Sequence, residues 1–505
     1  DHGAACSGAA GQQGAQHVKA ALARVQPLVA EDGIRLEPFV ELGMRLGRGG
    51  GVCRRHAPGL QHGTPGLDHL AVVVQYQAAA LQRAHCHLVA VQGRRVGWHG
   101  SRSSRSGVGR QPQPAVEIVS LNDYRSRYAQ YRTDQALQQL HAAAPFIAVW
   151  DDHEITNDTW RDGAENHQPE EGDFNQRKLA ALKAYFEWMP IRPLTADDEL
   201  TIYRQFEFGD LVNLLMLDTR VIGRDQQLSY ANYTDPVSGQ LDSARFSADV
   251  QQSNRTLLGN TQLQWLVDKL TQSDARWQLL GQQVLMGTML LPGAIASQQL
   301  SISDYAELAG LAQLAARAQA GDPTLTAEQL HYLNANQARL TPQVLALLQL
   351  PAIPYNLDAW DGYPAEREHI LAQVHAAGKK LIVLAGDTHN AWANHLDLAD
   401  GTPVAVELAT ASVTSPGLEQ YIGLPDRASA IATEAGLVQL VKGLQYCNLY
   451  DRGFMLLNIN RDAVQCDWIY IDNILTANTS LLPERQQSAA VMWQEQAAPR
   501  LTLAG

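Results

Sequence analysis

Four ionisable residues stand without a gap at positions 151–154: Asp151, Asp152, His153 and Glu154, directly after the apolar run FIAVW. An acid and an imidazole, Asp387 and His389, close a second apolar run, LIVLAG, at 381–386. A third run, LLML, leads to Asp218, with Arg220 two residues on. Carboxylate oxygen and imidazole nitrogen are the ligands of hard and borderline metal ions. A metal held by such groups polarises a phosphoryl oxygen and lowers the pKa of a bound water, and a pair of metals clamps both attacking and leaving oxygens. Each motif also has a plainer reading. An Asp after a strand is commonly a helix cap or a turn residue, and for Asp218, followed by Thr219, the two readings weigh evenly. A single Gly-Asp-x-His is weak for the same reason. The DDHE run is stronger, because its charges cannot all be caps. The two motifs together, on separate strands, point to a metal site.

Such residues need a scaffold that brings strand ends together. FIAVW reads as a short, fully buried strand. LVNLLMLDTR (211–220), WQLLGQQVLM (277–286), KKLIVLAGDTHNAW (379–392) and PVAVELATASVTSPG (403–417) each run apolar and then turn polar. LNDYRSRYAQYRTDQALQQLHAA (121–143), KLAALKAYFEWM (178–189) and NTQLQWLVDKLTQS (260–273) have helical periodicity. FMLLNINRDAVQCDWIYID (454–472) predicts a hairpin with NRD near its turn. Strands alternating with helices predict an α/β layered fold. In such sheets, ligands bind beyond the carboxyl ends of the strands, which is where the acids lie.

With the elements in place, WDDHEITNDTW (150–160) resembles the hallmark motif of alkaline phosphatase D, the PhoD-like metallophosphatases. The approach to it from 121, then LDTR, LLGNTQLQWL, WQLLGQQVLM, DAWDGYPAERE, IVLAGDTHNAWA and VAVELATASVTSPG, also resemble that family, in family order. The resemblance covers about Glu117 to Asp472. It implies a calcineurin-like metallophosphoesterase fold of the α/β class, a two-layer β-sandwich flanked by helices with metals at one edge. It implies that Asp152, Asp387 and His389 are metal ligands. His153 would face the phosphate, as general acid to the leaving oxygen or as transition-state stabiliser. Asn157 would serve catalysis by helping to hold ligand or metal. Asp151, Glu154, Asp218 and Arg220 are expected to support the ligands or the phosphate, and a structural ion pair is at least as good a reading of Arg220. Trp392 matches the aromatic follower of the late motif, and DAWDGY (358–363) is expected to shape the site wall. Ser412 to Ser415 read as turn chemistry, lacking the G-x-S-x-G elbow of a serine nucleophile. The metals implied are Ca2+ with Fe3+; the residues themselves say only hard-metal ligands. The implied reaction is hydrolysis of phosphate mono- or diesters by metal-activated water, on a small phosphate ester, in a periplasmic or extracellular setting. A broader haloperoxidase- or phospholipase-type esterase on the same fold is a further reading.

Residues 1–115 have a different texture. They contain no Asn, a single Lys (Lys19) and a single Ile (Ile34), yet half of the chain's 16 His. Stretches such as LGRGGGVCRRHAPG lack either periodicity, while LDHLAVVV (67–74) reads as part of one buried element. The family's first metal motifs, an S-C-Q-like element and a G-D-Y element, belong in this segment, and it has no Gly-Asp pair. The expectation is a segment that is not the natural N-terminal sequence, for example one read out of frame; the alternative is a low-complexity extension. Read literally, it leaves about half of the ligands, with His85 and His87 as poor substitutes. That defines the rival function, a catalytically impaired relic or binding protein with an incomplete site. The organisation expected is therefore an atypical segment 1–115, a phosphatase domain 116–480 and a C-terminal tail 481–505. No charged-then-apolar leader opens the chain, and Arg54-Arg55 lacks the apolar region of a twin-arginine signal.

A net charge of −13 and a pI near 5.6 argue against a stable nucleic-acid partner. No apolar stretch approaches the ~20 residues of a membrane span. Five cysteines are too sparse for a disulfide scaffold, and whether Cys447 and Cys466 bridge is a matter of geometry. Nothing in the sequence specifies an oligomeric state.

Overall fold

The computed structural model describes residues 69–74 and 112–504, apart from 190, 195–199, 238–239, 298 and 476–478. The early cysteines, and His85 and His87 as substitute ligands, lie outside the described residues, as does most of the segment 1–115 that the out-of-frame reading concerns.

The strands in chain order are β1 (His69–Val74), β2 (Arg204–Phe208), β3 (Val212–Met216), β4 (Trp277–Gly281), β5 (Leu290–Pro292), β6 (Ala352–Pro354) and β7 (Leu381–Ala385). They continue with β8 (Ala391–Asp397), β9 (Pro403–Ala409), β10 (Leu444–Asn448), β11 (Arg452–Asn460), β12 (Ala463–Ile471), β13 (Gln487–Met492) and β14 (Leu501–Leu503). Seven of them form one sheet in the order β10-β8-β9-β7-β4-β3-β2, and five form a second in the order β1-β11-β12-β13-β14. The centre of the first sheet is parallel, β3 to β4 to β7 to β9. The second is antiparallel throughout. Two facing sheets with helices outside make the expected sandwich.

Side-chain alternation explains the layers, since successive residues of a strand point to opposite faces. In β7, Ile382 and Leu384 face the second sheet, packing in the same core as Met455, Leu457, Cys466 and Trp468. Their neighbours Leu381, Val383 and Ala385 face outward, against Leu266 and Leu270 of the helix Gly259–Gln272 and Ile370 and Val374 of the helix Pro364–Ala376. Both faces of β7 are covered, so it reads as a continuous apolar run, as central parallel strands do. A third core lies under the DDHE segment. Trp150 and Ile155 pack with Tyr124 and Tyr128 of the helix Leu121–Tyr131 and with Leu182 and Tyr185 of the helix Phe174–Trp188.

Three local expectations are corrected. FIAVW (146–150) is not a strand: it has no ladder partners, Ile147 is exposed, and only Trp150 is buried. An apolar run becomes a buried strand only with a neighbour at its edge, and no described strand pairs with it. The helical stretch 121–143 is two helices, because Asp134 caps the second, Gln135–Ala143, through the Leu137 N–H at 2.8 Å. Residues 481–505, set apart above as a tail, carry β13 and β14, whose Ala489, Val491 and Leu501 enter the core between the sheets.

The hairpin β11–β12 turns at Asn460 to Asp462 as expected, and the strand β1 falls in the LDHLAVVV stretch and pairs with β11. Cys447 and Cys466 are both buried free thiols. Three helices, Ile302–Gln319, Ala327–Asn336 and Pro342–Leu348, lie between β5 and β6 without having been assigned from the sequence. No helix among the described residues is long and apolar enough to cross a membrane.

Candidate metal centre

The loops that follow β3, β4 and β7 at their carboxyl ends meet the DDHE segment. Gln283, just past β4, ties them together. Its Nε2 donates to the carbonyls of Trp150 (2.6 Å) and Leu217 (2.9 Å), and its Oε1 accepts from the Thr219 hydroxyl (2.6 Å). Gln262 pins the same loop, accepting from Asp218 N and donating to Asp218 O, each at 2.8 Å. Buried backbone groups without a strand partner must find another, and these two amides supply it. Asp218 is itself turn chemistry: its Oδ1 accepts from the N–H groups of Arg220 and Val221, both at 2.8 Å.

Arg220 then points to the middle of the acids. Its Nε meets Asp151 at 2.6 Å, its Nη1 meets Asp358 at 2.7 Å, and its Nη2 meets Asp387 at 2.7 Å. Arg224 holds the other side of Asp358 at 2.5 Å and stacks on Tyr363. Donor oxygens of Asp151, Asp152 and Asp387 all lie within 4.8 Å of one another. Asp152 Oδ1 accepts from His153 N (2.7 Å) and Oδ2 from Asp158 N (2.8 Å).

The backbone is strained here. Asp158, Asp387 and His389 have φ of 49°, 63° and 64°, and they are the non-glycine residues with positive φ among those described. Such conformations persist where the surroundings over-determine them, and they cluster at functional sites.

Five acids, Asp151, Asp152, Asp158, Asp358 and Asp387, surround two guanidinium groups. Burial and the neighbouring carboxylates of Asp358 and Asp152 push Asp158 well up. Burial and Asp151 do the same to Asp387. Burial also opposes ionisation of Asp152, yet His153, Arg220 and two backbone N–H groups outweigh it and hold that acid at about 2. An excess of buried, convergent carboxylate oxygen is what a hard cation needs, so the donor set fits one.

His389 is not in the trio of converging carboxylates. Its Nδ1 contacts the Pro416 carbonyl, which can only accept, so the proton belongs on Nδ1 and the Nε2 lone pair is the ligand atom it can offer. Burial lowers its pKa to about 4, which keeps the ring neutral. His153 Nε2 lies 3.7 Å from Asp152 Oδ2. Trp392 donates to the Thr388 hydroxyl at 2.7 Å and so braces the loop between Asp387 and His389. Glu154 turns from the acids: it accepts from Asp151 N at 2.7 Å, and burial raises its pKa to about 8. Asn157 is directed to Glu165, at 2.6 Å. Ser412 donates to the Ser415 carbonyl at 2.6 Å, a turn contact.

The residues that sequence reasoning missed are Asp158 and Arg224, and Asp358 was read only as wall. The strand-end pattern does not reach them. The signal available was the pairing of each with a motif already singled out: Asp158 in ITNDT after DDHE, Arg224 in the loop after LDTR, and Asp358 at the head of DAWDGY.

A family model described as PhoD-like phosphatase matches residues 94–468, beginning ahead of Glu117. Alkaline phosphatase D of Bacillus subtilis (strain 168) is 30% identical over 314 residues, covering 60% of this chain and 42% of that protein. The chain thus spans about two fifths of that relative's length. A solved structure titled "Structure of PhoD" superposes with a TM-score of 0.57 at 21% identity, covering 87% of this chain and 72% of the other, and shares the fold.

Proposed function

Since the chain belongs to the PhoD-like phosphatase family, we propose that it hydrolyses small phosphate mono- or diesters in a metal-dependent reaction. The observation that carries this reading is the convergence of Asp151, Asp152 and Asp387 within 4.8 Å, from segments more than two hundred residues apart. Asp152 and Asp387 are the proposed metal-holding carboxylates, with Asp151 beside them and His389 offering Nε2. Carboxylate oxygen suits Ca2+, and the nitrogen of His389 broadens the set toward Fe3+, the pair that family resemblance implies. A bound cation supplies positive charge at the phosphoryl oxygens and a lowered pKa for water. The remaining work falls to the protein. Arg220 holds the carboxylates of Asp151, Asp358 and Asp387 in place through Nε, Nη1 and Nη2. His153 gives a proton to the leaving oxygen, or donates to a phosphoryl oxygen as charge builds there. Asp152 lies beside His153, with its Oδ2 3.7 Å from the ring Nε2, and so fixes where that imidazole sits. Asp218 and Glu154 hold backbone in place. The periplasmic or extracellular setting belongs to the same proposal and is tested by fractionating expressing cells.

One observation favours the rival reading. Arg220 already compensates three of the acids, as in a closed ion-pair cluster of a catalytically impaired relic. Elemental analysis of purified protein, with p-nitrophenyl phosphate and bis-p-nitrophenyl phosphate turnover, separates the two. The enzyme reading expects bound metal and turnover that falls about a hundredfold or more in Asp152→Ala. Metal-free protein without turnover, even after loading with Ca2+ and Fe3+, sinks it. The ratio of the two substrates assigns the monoester or diester preference.

A further inference from the structure

The parallel strands carry acid beyond one end and base at the other. Where β4 and β7 begin, roughly 20 Å from the carboxylates by strand rise, lies a cavity of about 350 Å³. Arg276 immediately precedes β4, and Lys379 and Lys380 immediately precede β7. Arg461 enters from the β11–β12 turn of the opposite sheet, and Trp493, just past β13, forms a wall. Both sheets therefore build the cavity, at the open end of the sandwich.

Its charge is opposite to that of the molecule. Four cations face two acids, Asp210 and Asp274, in a chain of net charge −13. Asp210 is engaged by Arg461 at 2.5 Å. Arg276 donates through Nε to the Arg461 carbonyl, and its Cζ lies over Trp493 at 3.9 Å from the ring centroid. The two contacts together hold the guanidinium at the cavity wall. Lys379 Nζ donates to Ser273 O and Lys380 Nζ to Ala497 O, each at 2.6 Å. An ammonium has three donors, so each carbonyl uses one. Lys380 is only 8% exposed and makes no salt bridge with a described residue. Buried charges are ordinarily paired, and burial pulls the pKa of Lys380 down, with Glu495 the acid that opposes this.

We propose that this cavity is a second anion site, which binds a phosphate dianion, either free orthophosphate or the phosphoryl end of a small monoester. Two Arg and two Lys side chains lining one cavity suit a compact anion with several oxygens. The volume is at the small end of ligand sites, which admits a phosphate group with a short organic stem. The proposal is independent of the metal centre, since no residue is shared.

Titration calorimetry of the full chain with orthophosphate, and separately with glycerol phosphate, tests it. The comparison is wild type, Asp152→Ala, and the pair Arg276→Gln with Lys379→Gln. The cavity event should persist in Asp152→Ala and weaken at least about tenfold in the paired variant. If the paired variant melts early, Lys379→Gln alone, at a half-buried position, should weaken binding several-fold. Binding of both probes means the phosphate group suffices; binding of glycerol phosphate alone assigns the site to the ester. Unaltered binding in the cavity variants overturns the proposal, as does equal binding of perchlorate at matched ionic strength. Loss in Asp152→Ala alone would place phosphate binding at the metal centre and leave the cavity without one.

Discussion

At the scale of single residues, Arg220 decides how the acids coexist. It is wholly buried and contacts Asp151, Asp358 and Asp387. Removing one partner of a buried ionic cluster leaves uncompensated charge, at a cost of about 3–5 kcal/mol. Arg220→Gln is therefore expected to lose about that much stability in EDTA and less of it when Ca2+ is present, because a cation takes over part of the compensation. Urea melts with and without Ca2+ check this; an equal loss in both would mean that cation and guanidinium do not share the acids. Asn157 gives the contrast. Its amide is directed to Glu165 on the surface side of the loop, so Asn157→Ala is expected to change kcat/KM by no more than about twofold, the scale of an ordinary surface substitution. A larger loss in steady-state assays would restore it to the catalytic set. Asp151, Asp152, Asp387 and His389 were legible because their charge interrupts apolar runs. Asp158 and Asp358 were not, because an acid in a polar loop looks like any turn acid until tertiary closure sets it among others.

At the scale of elements, the site depends on loops that have no ladder of their own. Central strands such as β7 could be read directly, since burial on both faces imposes an unbroken apolar run. FIAVW has the same composition and is no strand, because composition reports burial tendency while a strand needs an edge to pair with. Gln283 replaces that missing pairing. Its amide serves the Trp150 and Leu217 carbonyls and the Thr219 hydroxyl and N–H. Gln283→Ala strands several buried polar groups, at about 1–3 kcal/mol for each one left unpaired. The expectation is a loss of about 2–4 kcal/mol in denaturant melts, with kcat falling as well, because the DDHE segment loses its tie to the loop after β3. A stability loss with unaltered kcat would show that the third core alone holds Asp151 and Asp152 in place.

At the scale of the whole molecule, many acids lie inside a sandwich whose net charge is already −13. Glu366, Glu407, Glu434 and Asp467 are all raised by burial above the ordinary carboxylate range. The chain's acidity was visible in composition, but not how much of it the sheets and loops enclose. Asp361 gives this a number. Burial raises it from 3.8 to about 6, against the opposing pull of the Met289 N–H, which it accepts at 2.7 Å, and of Arg367. Its folded pKa lies above its unfolded one, so between about pH 4 and pH 6 the folded state keeps a proton that the unfolded state has released. Stability from this group is intact below pH 4 and declines as pH rises toward 6, by about 3 kcal/mol for a shift of that size. Asp361→Asn keeps an acceptor for the Met289 N–H and removes the titration. The variant is expected to match wild type near pH 4 and to exceed it by up to about 3 kcal/mol at pH 7. Paired urea melts across that range check the sign. A difference that stays flat with pH would mean Arg367 compensates the ionised acid in full, and that burial of Asp361 carries no pH-dependent cost.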